Sequence, residues 1–346
     1  MKAIVLSGVG RVEIREVPRP SIQAADDVLL RTAVAGLCGS DLHYYIADRV
    51  GGEAVPYPII GGHEVSALVE AVGSAVTRVR PGDRVAVEPS ISCGTCDQCR
   101  AGRPHTCRSI KFLGHPGDKD GGLAEFVVLP ERNLLPIPDA MTMTEAMMAE
   151  PLSIALHALR PGGANPGPAI AVLGTGPIGL CVVLCLQAAG VRDIYVTDKS
   201  EARAQAALKA GAAWSGNPDR QDVVREILDR RPLGIDAVFE ASGDPAAVEQ
   251  AIQLIKPGGR ITLIGIPLEE RIAYPTAVAR RKEIAFYNVR RQNRCLERAL
   301  LLIEGKHIDV SWLVSHAFAP DEAPHAFKVV AERRDGVFKA AVDFSL

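Results

Sequence analysis

The chain has 346 residues, of which 47% are hydrophobic and 23% are charged, and its formal net charge at pH 7 is -2. This composition supports a full hydrophobic core and excludes a disordered or fibrous protein, and the length predicts two domains with room for a third. The near-neutral charge means that the sequence has no overall excess of basic residues, which argues against nucleic acid as the main partner.

We expect neither export nor membrane insertion. Residues 1–7 form only a short strand-like stretch, without the cationic start and long apolar core of a signal peptide. No apolar run approaches the length of a membrane span. Eight cysteines without a secretory context indicate a reducing compartment, and we therefore expect a cytoplasmic protein.

Residues 1 to about 150 predict a β-rich domain. Short alternating or apolar runs are broken there by glycine and proline, a pattern typical of strands separated by turns. The run Arg80-Pro81-Gly82-Asp83 has the composition of such a turn. The predicted strands cover residues 28–34, 65–72 and 84–87.

From residue 151 to residue 284 the pattern changes to alternating strands and helices, which predicts an α/β domain with a parallel, doubly wound sheet. The predicted strands cover residues 169–173, 194–197, 237–240 and 260–264, and the predicted helices cover residues 177–189, 201–210 and 246–255. The tail from residue 285 adds a predicted helix at 296–304 and a predicted strand at 339–344.

Four cysteines in a turn-rich stretch predict a closed zinc site. They follow the pattern Cys-x2-Cys-x2-Cys-x7-Cys, and they are Cys93, Cys96, Cys99 and Cys107. Two-residue gaps let one loop wrap the ion before the last thiolate completes the tetrahedron. Two disulfides of a secreted protein are the alternative, but the other cysteines are scattered. We expect a structural zinc that braces this lobe.

A glycine-rich turn in the second region predicts a dinucleotide-binding site. It is the run Gly174-Thr175-Gly176-Pro177-Ile178-Gly179, which leaves an apolar strand and opens a helix. Gly174 allows a tight turn, Gly176 lets the backbone approach a pyrophosphate, and Gly179 allows close packing of helix on strand. Pro177 suits the first helical turn, whose free amides would bind the phosphates.

Asp198 follows the next predicted strand, 24 positions after Gly174. A carboxylate there accepts hydrogen bonds from an adenosine ribose 2′-hydroxyl and repels a 2′-phosphate, so NAD is favoured over NADP. Lys199 and Arg203 lie close by in sequence and weaken that preference. The alternative is a helix cap with glycine-rich packing and no cofactor.

Cys38, His63 and Glu64 are candidates for a second, open metal site. A thiolate, an imidazole and a carboxylate supply three ligands and leave room on zinc for water or a substrate oxygen. Spacing alone does not establish the site, because a lone cysteine is often a small core residue and a His-Glu pair is often on the surface.

Several motifs occur in one order across nearly the whole chain. They are Cys38-Gly39-Ser40-Asp41-x-His43, Gly62-His63-Glu64, the four-cysteine loop, Gly121-Gly122-x-Ala124-Glu125-Phe126, Glu150-Pro151-Leu152-Ser153 and the glycine-rich turn. With these motifs the chain resembles the zinc-dependent medium-chain alcohol dehydrogenases, and most closely their sorbitol (polyol) dehydrogenase branch. The resemblance implies a GroES-like, β-rich catalytic domain at 1–150 and 285–346, a Rossmann NAD-binding domain at 151–284, and an active site in the cleft.

The resemblance makes Cys38, His63 and Glu64 the positions of a catalytic zinc, so that two zinc ions per chain are expected. Glu150 falls where branches that act on simple alcohols usually place a cysteine, whereas polyol dehydrogenases place a glutamate that binds zinc directly or holds its water. The alternative for Glu150 is an acidic residue at a helix start beside Pro151.

Ser40 falls where the family keeps a hydroxyl that passes the substrate proton outward. His43 would continue that relay, and its alternative is a partly buried loop histidine bonded to backbone. The resemblance also implies further contacts to the cofactor and to the substrate. The cofactor positions are Gly174, Gly176, Pro177, Ile178, Gly179, Asp198, Arg203, Gly265 and Ile266, and the substrate positions are Tyr44, Phe112 and Arg290.

Arg291 departs from the family, which often has an aromatic residue at that position. The departure favours a longer or more polar substrate. The alternative is that the cationic stretch from Arg290 to Arg294 is a solvated face.

The function implied by the resemblance is the NAD-dependent oxidation of a secondary hydroxyl of a sugar alcohol, such as sorbitol, xylitol or galactitol, to the ketose. Two alternatives stay open: a threonine or simple secondary alcohol dehydrogenase on the same scaffold, and a non-catalytic protein that binds NAD and zinc. The expected partner is a small polyol or ketose, with no nucleic acid and no membrane, and the family suggests a homotetramer.

Overall fold

Short strands are the main elements of residues 1–50 and 53–136, as the spacing of glycine and proline predicts. The computed structural model describes residues 1–50, 53–160 and 167–346 of the protein. The strands are β1 Lys2–Gly8, β2 Arg11–Glu16, β3 Asp27–Gly36, β4 Arg49–Val50, β5 Glu53–Ala54, β6 Glu64–Val72, β7 Arg84–Val87, β8 Ser90–Ile91, β9 Lys111–Phe112, β10 Phe126–Pro130 and β11 Leu134–Pro136. Two short helices lie between them, α1 Gly39–Ile46 and α2 Asp97–Arg100.

A long helix, α3 Met143–Leu159, precedes a series in which strands and helices alternate. The strands are β12 Ala169–Leu173, β13 Asp193–Thr197, β14 Trp214–Gly216, β15 Ile235–Glu240, β16 Ile255–Leu263 and β17 Ala285–Asn288. The helices are α4 Pro177–Ala188, α5 Glu201–Lys209, α6 Val223–Arg230, α7 Pro245–Leu254 and α8 Thr276–Arg281. The strands form one parallel sheet in the order β14-β13-β12-β15-β16-β17, which confirms the predicted doubly wound sheet.

Continuous apolar sequence explains why these elements form. β12 is buried along its whole length, as expected for a parallel strand covered on both faces. α4 is buried over most of its length, including Cys181 and Cys185, which are core residues as their helical spacing indicates. The order of the sheet reverses between β12 and β15, and sheets of this kind bind their ligands at the carboxyl ends of the strands beside such a reversal.

The C-terminal part of the chain returns to the sheet of the first region. Its elements are α9 Leu296–Glu304, β18 Val314–Phe318, α10 Ala323–Ala331 and β19 Lys339–Asp343. β19 pairs antiparallel with β3, so that Ala341 lies opposite Gly36. The resulting seven-stranded sheet has the order β11-β7-β6-β3-β19-β18, and β10 also pairs with β3.

The chain divides into two compact units, Met1–Glu150 with Leu296–Leu346, and Pro151–Cys295. The boundary expected at residue 285 differs from this division. β17 pairs with β16 as the sixth strand of the parallel sheet, and residues 285–295 therefore belong to the second unit. None of the helices in the described part of the chain is long and apolar enough to cross a membrane.

Candidate active site

Cys38, His63 and Glu64 come together in the first unit. One ligand atom from each lies within 4.8 Å of the others. The register of the sheet explains this meeting, because Gly36 at the end of β3 pairs with Glu64 at the start of β6. The residues just after β3 and just before β6 are therefore neighbours. A thiol, an imidazole and a carboxyl converging at this spacing form a donor set suited to zinc.

Without a cation nearby, burial disfavours the charged thiolate and carboxylate forms of these side chains. Burial raises the pKa of the Cys38 thiol to about 12, and the neighbouring Glu64 carboxylate contributes in the same direction. Cys38 is half-buried, and His63 and Glu64 are buried. A divalent cation favours the thiolate and the carboxylate, so the chemistry of the donor set fits a metal.

Glu150 lies on α3 close to the same cluster, although in the described part of the chain its carboxylate is not among the atoms that converge within 4.8 Å. The side chain is 4% exposed. Burial raises the pKa of Glu150 to about 8; His63 opposes this rise, whereas Glu64 and Cys38 add to it. These interactions place Glu150 beside the three candidate ligands.

Lys339 is a residue of this site that the sequence analysis did not identify. It begins β19, is 2% exposed, forms an ion pair with Glu64, and donates a hydrogen bond to the Leu37 carbonyl at 3.1 Å. Burial by itself would lower the pKa of Lys339, but the nearby Glu64, Cys38 and Glu150 outweigh it and raise the pKa. No sequence spacing signals a partner so far along the chain.

Asp41 is a second residue without an assigned role in the sequence analysis. It is fully buried, and its carboxylate accepts hydrogen bonds from the Cys38 amide and the Gly62 amide, both at 3.0 Å. Burial raises the pKa of Asp41, while His63 and the two amides oppose the rise. One carboxylate therefore joins the loop that carries Cys38 to the segment that carries His63.

Ser40, His43 and Tyr44 lie on α1, which begins directly after Cys38. Positions three and four apart share one face of a helix, so Ser40 has both His43 and Tyr44 as neighbours on its face. All three side chains are half-buried. Burial lowers the pKa of His43, which favours the neutral imidazole near pH 7.

The four cysteines of the predicted structural zinc site converge around α2. The sulfur atoms of Cys93, Cys96, Cys99 and Cys107 lie within 4.8 Å of one another. The Cys93 amide donates to the Cys107 sulfur at 3.3 Å, and the Cys96 amide donates to the Cys93 sulfur at 3.4 Å. Hydrogen bonds from the amides of Thr95 and Cys96 lower the pKa of Cys93 to about 6. Amide donors of this kind stabilise thiolates, which are the form that binds zinc.

The glycine-rich turn has the close contacts expected of a dinucleotide-binding loop. Gly174 has a φ of 88°, and a Cβ there would lie 2.7 Å from the Ser242 amide nitrogen. A Cβ on Gly179 would overlap the Gly174 carbonyl oxygen. The amides at the start of α4, which begins at Pro177, lie at the carboxyl end of β12 beside the reversal of the sheet.

Asp198 is placed just after β13, as predicted, but its carboxylate already has local partners. It accepts hydrogen bonds from the Thr175 amide at 2.7 Å and from the Ser200 amide at 2.8 Å. Asp198 therefore fixes the glycine-rich turn in addition to any role at the ribose. Lys199 lies 2.9 Å from Asp244, so a carboxylate already balances its charge.

The remaining predicted positions fall in both units. Arg203 lies near the glycine-rich turn, 3.6 Å from where a Cβ on Gly176 would be. Gly265, whose amide donates to the Glu240 carbonyl at 3.0 Å, and the exposed Ile266 follow β16, and Ile178 lies in the first turn of α4. The Phe112 ring lies 5.2 Å from the His63 ring, and the Tyr44 ring meets the His115 ring edge to face. Arg290 is exposed just after β17, and Arg291 has a φ of 53°.

Two family models match the chain. Residues 24–139 match the alcohol dehydrogenase GroES-like domain, and residues 177–304 match the zinc-binding dehydrogenase family. The chain is 33% identical to a sorbitol dehydrogenase of Bacillus subtilis, over 99% of this chain and 97% of that protein. The chain belongs to the zinc-dependent medium-chain dehydrogenases, in their polyol branch. It is likewise 33% identical to a D-xylulose reductase A of Aspergillus niger, over 95% of this chain and 93% of that protein.

Solved structures of other dehydrogenases share this fold. An alcohol dehydrogenase of Escherichia coli CFT073 complexed with NADH has a TM-score of 0.91 and 29% identity, covering 99% of each chain. A structure assigned as a zinc-binding dehydrogenase of Sinorhizobium meliloti 1021, bound to NADP, has a TM-score of 0.89 and 30% identity, covering 99% of this chain and 98% of that chain. The predicted family, fold class and dependence on zinc and a nicotinamide dinucleotide are thereby confirmed.

Proposed function

We propose that this protein oxidises a secondary hydroxyl of a sugar alcohol to the ketose and transfers the hydride to NAD. The observation that carries the proposal is the cluster of half-buried Cys38 with buried His63 and Glu64, and Glu150 beside it. A glutamate rather than a cysteine at position 150 is typical of the polyol branch. The similarity to a sorbitol dehydrogenase and a D-xylulose reductase supports the same class of substrate.

Cys38, His63 and Glu64 would hold the catalytic zinc, with Glu150 as a further ligand or as the partner of a bound water. When bound, zinc supplies a Lewis acid that lowers the pKa of a secondary alcohol toward neutrality. Ser40 and His43 share one face of α1 and would carry the released proton outward. Burial lowers the pKa of His43, so its imidazole is neutral near pH 7 and able to accept a proton.

The cofactor would lie along the turn from Gly174 to Gly179, with Arg203, Gly265 and Ile266 completing its site. NAD is favoured over NADP because Asp198 occupies the position that repels a 2′-phosphate. The pairing of Lys199 with Asp244 supports the same preference, since it removes a cation that could have attracted that phosphate. Tyr44, Phe112 and Arg290 are the proposed substrate contacts.

The test is the initial rate of NAD reduction by the zinc-loaded protein across sorbitol, xylitol, galactitol, threonine and simple secondary alcohols. We expect polyols to be the preferred substrates. Cys38→Ser should lower kcat by about a hundredfold or more, because the lost charge stabilisation amounts to several kcal/mol, while the variant stays folded. Preference for threonine or a simple alcohol would contradict the polyol assignment. Failure of every substrate to reduce NAD would contradict catalysis altogether.

We further propose a homotetramer in a reducing, cytoplasmic environment. β17 is an edge strand of the parallel sheet, and exposed apolar residues accompany it, namely Tyr274, Val278 and Tyr287. An unprotected edge of this kind favours pairing with a second copy of the chain. None of the eight cysteines, which all lie in the described part of the chain, is joined in a disulfide, and this agrees with a reducing compartment. Sedimentation equilibrium would measure the assembly, and any mass other than that of four chains would contradict the tetramer.

A further inference from the structure

The proposed reaction assigns no function to the imidazole of His115. It lies in the loop after β9, and its side chain is 40% exposed. Its Nδ1 atom is buried, forms no hydrogen bond, and lies 3.2 Å from an Asp118 carboxylate oxygen. Since Nδ1 is buried, the exposed part of the ring is the opposite edge, which carries Nε2.

The loop of His115 packs directly against the segment that leads to His63. Gly114 has a φ of 71°, and a Cβ there would lie 2.9 Å from both the amide nitrogen and the carbonyl oxygen of Gly62. On the far side of the loop, the Gly122 amide donates to the Gly62 carbonyl at 2.8 Å. Backbone contacts at both ends therefore hold this loop beside a candidate metal ligand.

Two independent chains of contact connect His115 to the candidate metal site. The first runs through Phe112, whose carbonyl accepts from the His115 amide at 3.2 Å and whose ring lies 5.2 Å from the His63 ring. The second runs through Tyr44, whose ring meets the His115 ring edge to face at 6.4 Å. Tyr44 lies on α1, the helix that begins directly after Cys38. The imidazole therefore borders the wall formed by the proposed substrate contacts Tyr44 and Phe112.

The Asp118 carboxylate determines which nitrogen of His115 is available to a ligand. A carboxylate beside Nδ1 favours the proton on that nitrogen. Nε2 of the neutral ring is then a hydrogen-bond acceptor. An acceptor at the rim of an alcohol-binding site can form a hydrogen bond with a substrate hydroxyl but not with an alkyl group.

We propose that His115 is a specificity-determining residue whose Nε2 accepts a hydrogen bond from a substrate hydroxyl at least two carbons away from the carbon that is oxidised. The proposal rests on the proposed polyol dehydrogenase function and narrows its substrate class. It selects polyols with a hydroxyl distal to the reacting carbon over simple secondary alcohols and short diols, which lack that donor. Asp118 acts through His115 as a positioning residue.

The test compares kcat/KM for xylitol and sorbitol with kcat/KM for 2-butanol and 2,3-butanediol. His115→Phe keeps a ring against Tyr44 but removes the acceptor. We expect kcat/KM for the polyols to fall about three- to tenfold, the range for loss of one neutral hydrogen bond, with no change for the short alcohols. Asp118→Ala should change the same ratio in the same direction by a smaller factor, and it provides a second variant if His115→Phe does not fold.

His325→Phe is the matched control. His325 is an exposed histidine that, like His115, meets an aromatic ring edge to face, at 5.8 Å from the Phe318 ring, but it lies on α10. Its replacement should leave the substrate ratio unchanged. An unchanged ratio in His115→Phe, or an equal loss for polyols and short alcohols, would overturn the inference while polyol oxidation by the wild type still stood. A wild type that oxidises no polyol would overturn the proposed function and the inference together.

Discussion

Lys339 introduces a buried positive charge beside Glu64, and this pair couples the last strand of the chain to the candidate metal site. Both side chains are 1% exposed. A buried ion pair contributes little when compared with an apolar pair of the same shape, but the removal of one partner strands the other charge away from water. The two residues should therefore behave as a unit in mutagenesis.

We expect Lys339→Met to lower the free energy of unfolding by about 3–5 kcal/mol, because Glu64 remains buried without its counter-charge. Urea unfolding of the zinc-free wild type and the zinc-free variant measures the change, because a zinc ion bound at Glu64 would itself supply a counter-charge. The double variant Glu64→Gln with Lys339→Met removes both charges and should regain a good part of the loss. Unchanged stability of Lys339→Met would show that the two charges are not coupled.

The sequence does not reveal the burial of two residues, Asp41 and Lys339. Asp41 lies inside a motif quoted for the family, and its polarity alone does not reveal that it is buried between two amides. The sequence pattern predicts only a strand at Lys339, and it gives no sign of burial because a lysine is almost never fully buried unless it is paired. In both cases the environment of the side chain comes from segments distant in sequence.

Among the elements, α3 is the helix that carries Glu150, and its first turn is stabilised by an acidic residue. Glu145 accepts hydrogen bonds from the amide and the hydroxyl of Thr142, at 2.8 and 2.9 Å, and lies 3.4 Å from Lys306. Burial acts to raise the pKa of Glu145, but the Thr142 hydrogen bonds and Lys306 outweigh it, and the net shift is downward. The folded state therefore favours the ionised carboxylate.

A carboxyl whose pKa is lowered on folding contributes stability above its unfolded pKa and loses that contribution as the pH falls through its folded pKa. We expect Glu145→Ala to cost about 1 kcal/mol at pH 7, the typical value of a helix cap. Because the pKa of Glu145 is lowered on folding, the cost should shrink once the pH falls below the ordinary pKa of a glutamate, about 4.3. Thermal unfolding of the wild type and of Glu145→Ala from pH 3 to pH 8 measures this cost.

Glu297→Ala is the control for this series, because Glu297 is an exposed glutamate in the first turn of α9. It should show neither the cost at neutral pH nor the dependence on pH. If both variants lost the same stability at every pH, the effect would arise from helix propensity and not from the ionised cap.

The elements differ in how far the sequence predicts them. The strands at 84–87 and 169–173 and the helix at 296–304 have the predicted bounds, because their apolar periodicity and flanking breakers agree. Within the region of the parallel sheet, the sequence pattern does not predict β14, α6, α8 or β17. β17 is short and mostly exposed, so its sequence lacks the apolar run of the central strands, and only its pairing with β16 makes it a strand.

At the scale of the whole molecule, we expect one candidate metal site to contribute mainly to stability and the other mainly to activity. Both lie in the first unit, but the four cysteines brace one loop, whereas Cys38, His63 and Glu64 join strands β3 and β6 to α1. A closed site of four thiolates contributes folding free energy, and an open site keeps a position for substrate.

Cys107→Ser should therefore retain one zinc per chain, lower Tm by several degrees, and keep much of its kcat at a temperature where it is folded. Cys38→Ser should also retain one zinc but lose kcat while Tm changes little. Zinc analysis, calorimetry and NAD reduction on the same preparations measure these outcomes. Loss of activity in proportion to zinc in both variants would contradict the separation of roles.

The sequence by itself determined the two types of domain, the dinucleotide-binding turn and the cysteine pattern, since each depends on spacing within a few turns or strands of the chain. The placement of the domain boundary after β17, the burial of Lys339 against Glu64 and the position of His115 beside Tyr44 were decided only by the tertiary structure. Contacts of that kind depend on strand register and loop packing between segments far apart in sequence, and local periodicity carries no record of them.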